Sequence, residues 1–453
     1  MSTVAAISTP NAAGGIGIVR ISGERAFEIA DACFNSVSKR KLSEMKGYTA
    51  AYGTVHDSTG EIDDGVCIVY RAPHSYTGEN TVEICCHGGL FVMQRVLRAV
   101  FAEGALAAGP GEFTKRAFLN GKMDLTQAES VMGIISAQGT ASLNASRVAL
   151  DGAVSRKTES ISHMLLSAAA SLAAWADYPE DDVPAVEGAS LLSSLENAKN
   201  ELEALITRCD NGKSVTEGVR TVICGKPNVG KSTLMNLLSG YDRSIVTSVA
   251  GTTRDVVEET VRLGDIVLRL ADTAGIHETD DEVEKIGVSA AKKRMESADL
   301  TIAVFDNSRP LTDEDRLLLS ECTGKRCIAV VNKTDLSSKL DTDEIRKFID
   351  NIVYISAKTD SSADTLREVL ERVLGVDSVD FTQELLIGER QRGCAVNALK
   401  FVSEAITALN SGLTLDAVNV SIDCALGELM SLTGKRVTDE TVNEVFSKFC
   451  VGK

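Results

Sequence analysis

At 453 residues, with 44% hydrophobic and 25% charged side chains and only seven prolines, the chain has the length of about three folded units and an ordinary globular composition. It is neither a peptide-sized scaffold nor a disordered segment. Its formal charge of −17 excludes a protein that coats nucleic acid by bulk attraction, which requires a net basic face to release counterions; any RNA contact has to be local. The eleven cysteines are scattered, with no C-x-x-C or Cys/His cluster, and read as buried reduced thiols. Met1 to Pro10 has no basic start followed by an apolar core, and no apolar run approaches the ~18 residues of a membrane span, so the expected location is cytoplasmic, away from membranes.

From about Val4 to Phe118, short apolar runs (Gly15 to Ile21, Gly65 to Tyr70, Thr81 to Cys86) alternate with glycine-rich turns and a helix-like stretch, Phe91 to Phe101, which predicts an α/β unit. From Asp124 to about Arg208, apolar residues recur at three and four among Ala, Leu, Ser and Glu, predicting packed helices divided at Tyr178-Pro179-Glu180-Asp181-Asp182. After Gly218 come the β-branched runs Thr221 to Cys224, Ile266 to Ala271, Leu300 to Phe305, Arg326 to Val331 and Ile352 to Ile355, separated by helical segments. That is the pattern of a doubly wound, mainly parallel sheet. Helical periodicity returns after Gly375 (Gly393 to Leu409, Ala417 to Leu432, Asp439 to Phe449). One helical domain interrupted by the second α/β unit is the favoured reading; two separate bundles would give the same text. No internal repeat or low-complexity tract is present.

Gly225-Lys226-Pro227-Asn228-Val229-Gly230-Lys231-Ser232 fits G-x-x-x-x-G-K-[ST] between a predicted strand and a predicted helix that opens at Thr233. Glycines there let main-chain N–H groups and the helix N-terminus face a phosphate, Lys231 supplies a point charge, and the Ser232 hydroxyl is a Mg²⁺ ligand. Asp272-Thr273-Ala274-Gly275 closes the next strand, where a carboxylate can hold Mg²⁺ through water and a glycine N–H can sense a γ-phosphate. Asn332-Lys333-Thr334-Asp335 closes the strand from Arg326. There Asp335 can accept from N1 and the exocyclic amine of guanine, a donor pair that adenine lacks. Ser356-Ala357-Lys358, after the last strand, is placed to touch the base oxygen. Between the first two motifs lies the polar loop Thr247-Ser248-Val249-Ala250-Gly251-Thr252-Thr253-Arg254-Asp255, suited to close over Mg²⁺, with Thr253 as the expected ligand. These motifs in this order predict a guanine-nucleotide switch. Ile276 stands where Ras-like enzymes keep the glutamine that orients water, and an apolar side chain cannot do that.

Asn228, the string Gly251-Thr252-Thr253-Arg254-Asp255, the apolar residue after Asp272-Thr273-Ala274-Gly275, the segment Pro110-Gly111-Glu112-Phe113-Thr114-Lys115-Arg116-Ala117-Phe118-Leu119-Asn120-Gly121-Lys122 and the tail Phe449-Cys450-Val451-Gly452-Lys453 together resemble the MnmE (TrmE) family of tRNA uridine-modification GTPases over the whole chain. The tail has valine where the family's pattern has isoleucine. The resemblance implies an N-terminal tetrahydrofolate-binding and dimerisation domain (1–119), a helical domain in two parts (120–216 and 379–453) and a Ras-like G domain (217–378). It implies a homodimer whose G domains meet when GTP and K⁺ are bound. It also implies a flavin-containing MnmG (GidA) partner, in a heterotetramer or larger complex, that helps build an aminomethyl or carboxymethylaminomethyl group on the wobble uridine of tRNA. The carbon would come from a 5-formyl- or methylene-tetrahydrofolate.

By matching positions, Asn228, Thr247, Val249 and Thr252 would surround K⁺, and Ser232 and Thr253 would hold Mg²⁺. Glu284 would orient water; read from the residues alone, the favoured reading is instead a first-turn carboxylate on its helix dipole. The nucleotide contacts carry over to Asn228, Val229, Gly230, Lys231, Ser232, Thr233, to Thr247, Ser248, Val249, Ala250, Gly251, Thr252, Thr253, to Asp272, Thr273, Ala274, Gly275, and to Asn332, Lys333, Asp335, Ser356, Ala357 and Lys358, with Lys231 and Glu284 catalytic. Folate contacts carry over to Arg20, Glu83, Lys122 and Lys453, a carboxylate suiting pterin N–H donors and the cations an anionic glutamate tail. Cys450 is either a nucleophilic thiol or a buried helix-end cysteine. The rivals are a ribosome-assembly or other RNA-regulatory GTPase without folate chemistry, which the absence of a basic block disfavours, and a one-carbon transferase that a GTPase only regulates.

Overall fold

The computed structural model describes residues 2–177, 188–216, 218–241, 259–270, 295–358, 361–376 and 379–453. The Tyr178 to Asp182 break therefore lies outside the described residues, between a helix ending at Asp177 and one starting at Gly188.

The N-terminal sheet takes its strands from β1 (Val4–Ile7), β2 (Ile16–Ser22), β3 (Phe34–Ser36), β4 (Thr49–Asp57), β5 (Gly60–Tyr70), β6 (Thr81–His87) and β7 (Leu106–Ala107), in the order β3-β4-β5-β6-β2-β1-β7. All pairs are antiparallel except β1 with β7. Strand alternation sends Val19, Ile21, Val82, Ile84, Cys67 and Val69 to one face, where α1 (Ala26–Cys33) and α2 (Leu90–Ala102) cover them with Ile29, Met93 and Val96. α3 (Glu112–Leu119) then leaves the sheet, with Phe113 fully buried.

Four helices follow: α4 (Leu125–Ser136), α5 (Thr140–Leu150), α6 (Ala153–Asp177) and α7 (Gly188–Thr216). α4 starts on a reciprocal capping box between Asp124 and Gln127. At the far end of the chain, α12 (Glu389–Asn410), α13 (Leu415–Thr433) and α14 (Asp439–Ser447) complete the same body. One core joins Ile161, Leu165 and Leu172 of α6, Leu191, Leu195 and Leu202 of α7, Ala398 and Val402 of α12, and Val418, Ile422 and Leu429 of α13. The three- and four-residue spacing puts each set on one helix face. Both flanks thus form a single interrupted helical domain rather than two bundles.

Between them lies a sheet ordered β13-β12-β11-β8-β10-β9, built from β8 (Val219–Cys224), β9 (Glu259–Leu263), β10 (Ile266–Leu270), β11 (Leu300–Asp306), β12 (Cys327–Asn332) and β13 (Ile352–Tyr354). All pairs are parallel except the β9–β10 hairpin, whose outer strand β9 the sequence reading did not include. Every residue of β11 and β12 is buried, because helices cover both faces. Ile302, Val304, Ile328 and Val330 join α8 (Lys231–Tyr241) and α11 (Ser361–Leu374); Ala303, Phe305, Ala329 and Val331 join α9 (Asp313–Cys322) and α10 (Thr342–Arg346). No helix among the described residues is long and apolar enough to cross a membrane.

All eleven cysteines are free thiols and seven are buried, but Cys424 and Cys450 are exposed. Burial of Cys450 at a helix end is therefore overturned: Phe446 and Phe449 fill that interior against Leu125 and Phe118, leaving the next residue outside. The tail that follows returns to the N-terminal unit. Val451 bridges Pro110, the Gly111 N–H donates to the Cys450 carbonyl at 3.3 Å, and the Phe113 N–H donates to the Lys453 carbonyl at 3.0 Å. Gly452 adopts φ +98°, and a Cβ there would lie 2.2 Å from the Ile7 carbonyl oxygen. A Gly452→Ala protein should lose about 1–2 kcal/mol, seen as a thermal midpoint lower by roughly 2–4 °C; an unchanged midpoint would mean that the tail is not seated this way.

Candidate nucleotide-binding site

The four central parallel strands end side by side, and the loops that leave β8, β12 and β13 meet there. Such a carboxyl edge is where doubly wound sheets bind ligands. The buried Asn332 side chain joins all three loops: Nδ2 donates to the Val229 carbonyl at 2.9 Å, and Oδ1 accepts from the Ala357 N–H at 3.0 Å. Gly230 makes this approach possible, since a Cβ on it would sit 2.2 Å from Asn332 Nδ2. The phosphate-loop glycine thus serves packing against the base loop as well as anion access.

Lys231 opens α8 and its ammonium donates to the Gly225 and Lys226 carbonyls at 2.8 and 2.7 Å. Burial pushes its pKa below the usual lysine range, a shift that the nearby Cys224 opposes. A phosphate beside that ammonium would remove the penalty by supplying a counter-charge. Ser232 and Thr233 are exposed in the first turn of α8, so their hydroxyls and N–H groups lie at the positive end of the helix. Asn228 is exposed at φ +62°.

The base loop is held just as closely. Asp335 accepts from the Ser356 hydroxyl at 2.9 Å while remaining exposed, and Lys358 is exposed beyond Ser356 and Ala357. Lys333, at φ +63°, reaches back so that its ammonium donates to the Asn228 carbonyl at 2.7 Å and to Asp306 Oδ2 at 2.6 Å. Burial pushes the Asp306 carboxyl upward, but the hydrogen bonds from Lys333 and Ser308 outweigh it and hold the group below its ordinary range. On the other side, Lys226 of the phosphate loop pairs with Asp315 at 2.6 Å and donates to the Thr312 hydroxyl at 2.8 Å. Asp315 is buried and also caps its own helix, α9.

The motif reading missed Asp306 and Asp315. A signal for the first was present: the predicted strand stopped at Phe305, and a carboxylate closing a fully apolar parallel strand needs a partner. Thr247, Ser248, Val249, Ala250, Gly251, Thr252 and Thr253, Asp272, Thr273, Ala274 and Gly275, and Glu284 lie outside the described residues.

A second cluster forms where the tail reaches the N-terminal sheet. Arg20 and Glu83 face each other across β2 and β6 and pair at 2.7 Å, so each is first of all the other's partner. Tyr70 donates to Glu83 at 3.2 Å, and burial followed by the Glu83 charge raises the Tyr70 pKa. The Arg20 guanidinium stands 5.6 Å from the Tyr76 ring and 5.3 Å from the Phe113 ring, and Phe113 is the residue bonded to Lys453. Lys122 is exposed and donates to the Pro73 carbonyl at 3.2 Å, on the loop that also carries Tyr76. Arg116 is buried between Glu79 and Glu112 and fixes α3 beneath this cluster. Tyr70 and Tyr76 were not singled out in the sequence, and Phe113 was read only as part of the Pro110 to Lys122 segment; strand register brings Tyr70 beside Glu83, whereas Tyr76 and Phe113 are recognised only from their contacts with Arg20. Among the described residues no His/Cys/Asp/Glu group could hold a metal.

Comparison with known proteins fits this arrangement. The family model described as the MnmE helical domain matches residues 125–450, and that of the GTP-binding protein TrmE N-terminus matches residues 3–122. The chain is 37% identical over 454 residues to the tRNA modification GTPase MnmE of Clostridioides difficile, covering 100% of this chain and 99% of the relative. It is 38% identical over 456 residues to that of Thermoanaerobacter pseudethanolicus (100% and 99%) and 40% identical over 457 residues to that of Lacticaseibacillus paracasei (100% and 98%). With two family models along its length and full-length relatives at this identity, the chain belongs to the MnmE family of tRNA modification GTPases.

Proposed function

We propose that this chain hydrolyses GTP as a K⁺-activated, dimerisation-dependent switch. With a flavin-containing MnmG partner it would install an aminomethyl or carboxymethylaminomethyl group at C5 of the tRNA wobble uridine, using a folate-derived carbon. The observation that carries the nucleotide part is the meeting of the phosphate loop, Asn332 to Asp335 and Ser356 to Lys358 at one sheet edge, stapled by Asn332. Asp335 is the carboxylate that selects guanine, and a donor pair on the base is what it needs to replace water. Lys231 and the α8 N-terminus hold the phosphates, with Ser232 and Thr253 as Mg²⁺ ligands. A hydroxyl at a helix start is a suitable hard donor, and the metal would neutralise phosphate charge.

Asn228, Thr247, Val249 and Thr252 offer oxygen donors for K⁺, which places positive charge where other GTPases insert an arginine finger. Glu284 orients the attacking water in place of a glutamine. Units 1–119, 120–216 with 379–453, and 217–378 act as the folate and dimer unit, the helical frame and the switch, in the cytoplasm. Arg20, Glu83, Lys122 and Lys453 bind the folate. The carboxylate and guanidinium set against Tyr76 and Phe113 suit a flat heteroaromatic ring bearing an anionic chain. Exposed Cys450 is available as a nucleophile there.

The overall test is the nucleoside content of tRNA incubated with this protein, the flavin partner, a reduced folate and GTP; unmodified wobble uridine would refute the pathway assignment. Asp335→Asn should lower GTP affinity on the order of 100-fold and favour xanthine nucleotides, because the amide reverses one hydrogen bond; retained guanine preference in competition assays would exclude the assigned role. Phosphate release should accelerate when KCl replaces NaCl and as protein concentration rises, and Asn228→Ala should abolish the cation effect. A variant with the full K⁺ response would remove Asn228 from the cation site.

A further inference from the structure

We infer that Asp306, which belongs to none of the nucleotide motifs, is a positioning residue for guanine recognition: its carboxylate holds the Lys333 ammonium against the Asn228 carbonyl and so sets the base-reading loop relative to the phosphate loop. The inference rests on the guanine-nucleotide reading above. Asp306 closes the buried strand β11 and its side chain is 4% exposed. Oδ1 accepts from the Ser308 N–H and hydroxyl at 2.9 and 2.7 Å, which fixes the carboxylate; Oδ2 takes Lys333 at 2.6 Å, with Arg309 farther away at 3.8 Å. A buried carboxylate of this kind requires a cation, and Lys333 fills that need.

The backbone shows why the tether matters. Lys333 and Asn228 both hold left-handed φ, near +63° and +62°, a conformation that residues with side chains rarely adopt without support. One ammonium, bonded to the Asn228 carbonyl and to Asp306, supports both loops at once. The next residue braces the far side: the Asn307 N–H donates to the Asn332 carbonyl at 2.9 Å, its Oδ1 accepts from Ser338 at 3.0 Å, and its carbonyl accepts from the Lys339 N–H at 2.8 Å. Asp335 itself is exposed, so its placement depends on how the loop around it is held. Asp306 touches no base; it acts through Lys333.

The experiment is a titration of the full-length protein with fluorescent GDP, competed by GDP and by inosine diphosphate, which lacks the exocyclic amine. Wild-type protein should prefer GDP; a wild type that binds neither would overturn the nucleotide reading itself. Given that preference, Asp306→Ala should weaken GDP at least about tenfold and shrink the GDP-to-inosine ratio, whereas simple loss of fold would weaken both alike. In a Lys333→Ala background the same substitution should add less than about twofold, since the partner is already gone. An unchanged base ratio, or effects that multiply, would overturn the proposal. Should the alanine variant fail to fold, Asp306→Asn, which keeps shape and removes charge, is read by the same ratio after circular dichroism has verified its fold.

Discussion

The carboxamide of Asn332 is the point through which the nucleotide unit is organised. It takes a carbonyl from the loop after β8 and an N–H from the loop after β13 while sitting at the end of β12, so three loops share one buried polar group engaged at both its nitrogen and its oxygen. A buried amide with both ends engaged tolerates little movement, because losing either partner strands a polar atom away from water. Lys333, its neighbour, adds a second connection between the phosphate and base loops. In the proposed reading, phosphate and base recognition are therefore mechanically one site, although about a hundred residues separate the two loops in the chain. Both flanking carboxylates, Asp306 and Asp315, are buried at the carboxyl end of the sheet and each answers a lysine from a loop. Both negative charges are thus buried and neutralised rather than presented to solvent at this edge.

The helical frame constrains how that site communicates. Because α6 and α7 share a core with α12 and α13, the chain leaves and re-enters the frame at one place. Arg208 with Glu384, Lys213 with Glu389, and Arg392 with Asp210 all cross that neck. The two more exposed pairs, Lys213 with Glu389 and Arg392 with Asp210, contribute little stability individually, at about 0–1 kcal/mol each. Packing of Leu385 and Leu386 at 2% exposure supplies the firmer hold. A third contact lies away from the neck: Asp265, in the turn between β9 and β10, accepts from the Ala141 N–H at 3.2 Å at the start of α5. A carboxylate at a helix N-terminus is favourable, so the nucleotide unit is latched to the frame by a contact that costs little to break.

What the sequence made legible was whatever is local. Strand and helix periodicity placed β8, β11, β12 and the helices of both flanks, and the phosphate and base motifs marked the ends of three strands. The run at Ile266 was legible as β10, whereas its hairpin partner β9 was missed, because among the described residues that short edge strand pairs with nothing but β10 across a two-residue turn. Asp306 was missed for a different reason: its meaning depends on a lysine twenty-seven positions away, and nothing in local pattern links them. Arg20 and Glu83 were named through resemblance, but their pairing follows from strand register, which puts them opposite each other on β2 and β6. The exposure of Cys450 likewise depended on Phe446 and Phe449 together filling the interior beside it, which local pattern does not show.

The two ends of the chain constrain the second cluster in a way no local motif reveals. Phe113 packs against Arg20 on one side and gives its N–H to the last residue of the chain on the other. Gly452 lies so close to the Ile7 carbonyl that the tail can pass only where β1 leaves room for it. Since α14 is held by Leu125 and Ala128 of α4, the tail is delivered by the helical frame rather than by the N-terminal unit it touches. A shift of the frame relative to the sheet must therefore either carry the tail with it or break the bonds that Cys450, Val451 and Lys453 make to Gly111, Pro110 and Phe113. The tail thus joins the N-terminal cluster to the same packed helices that carry the nucleotide unit.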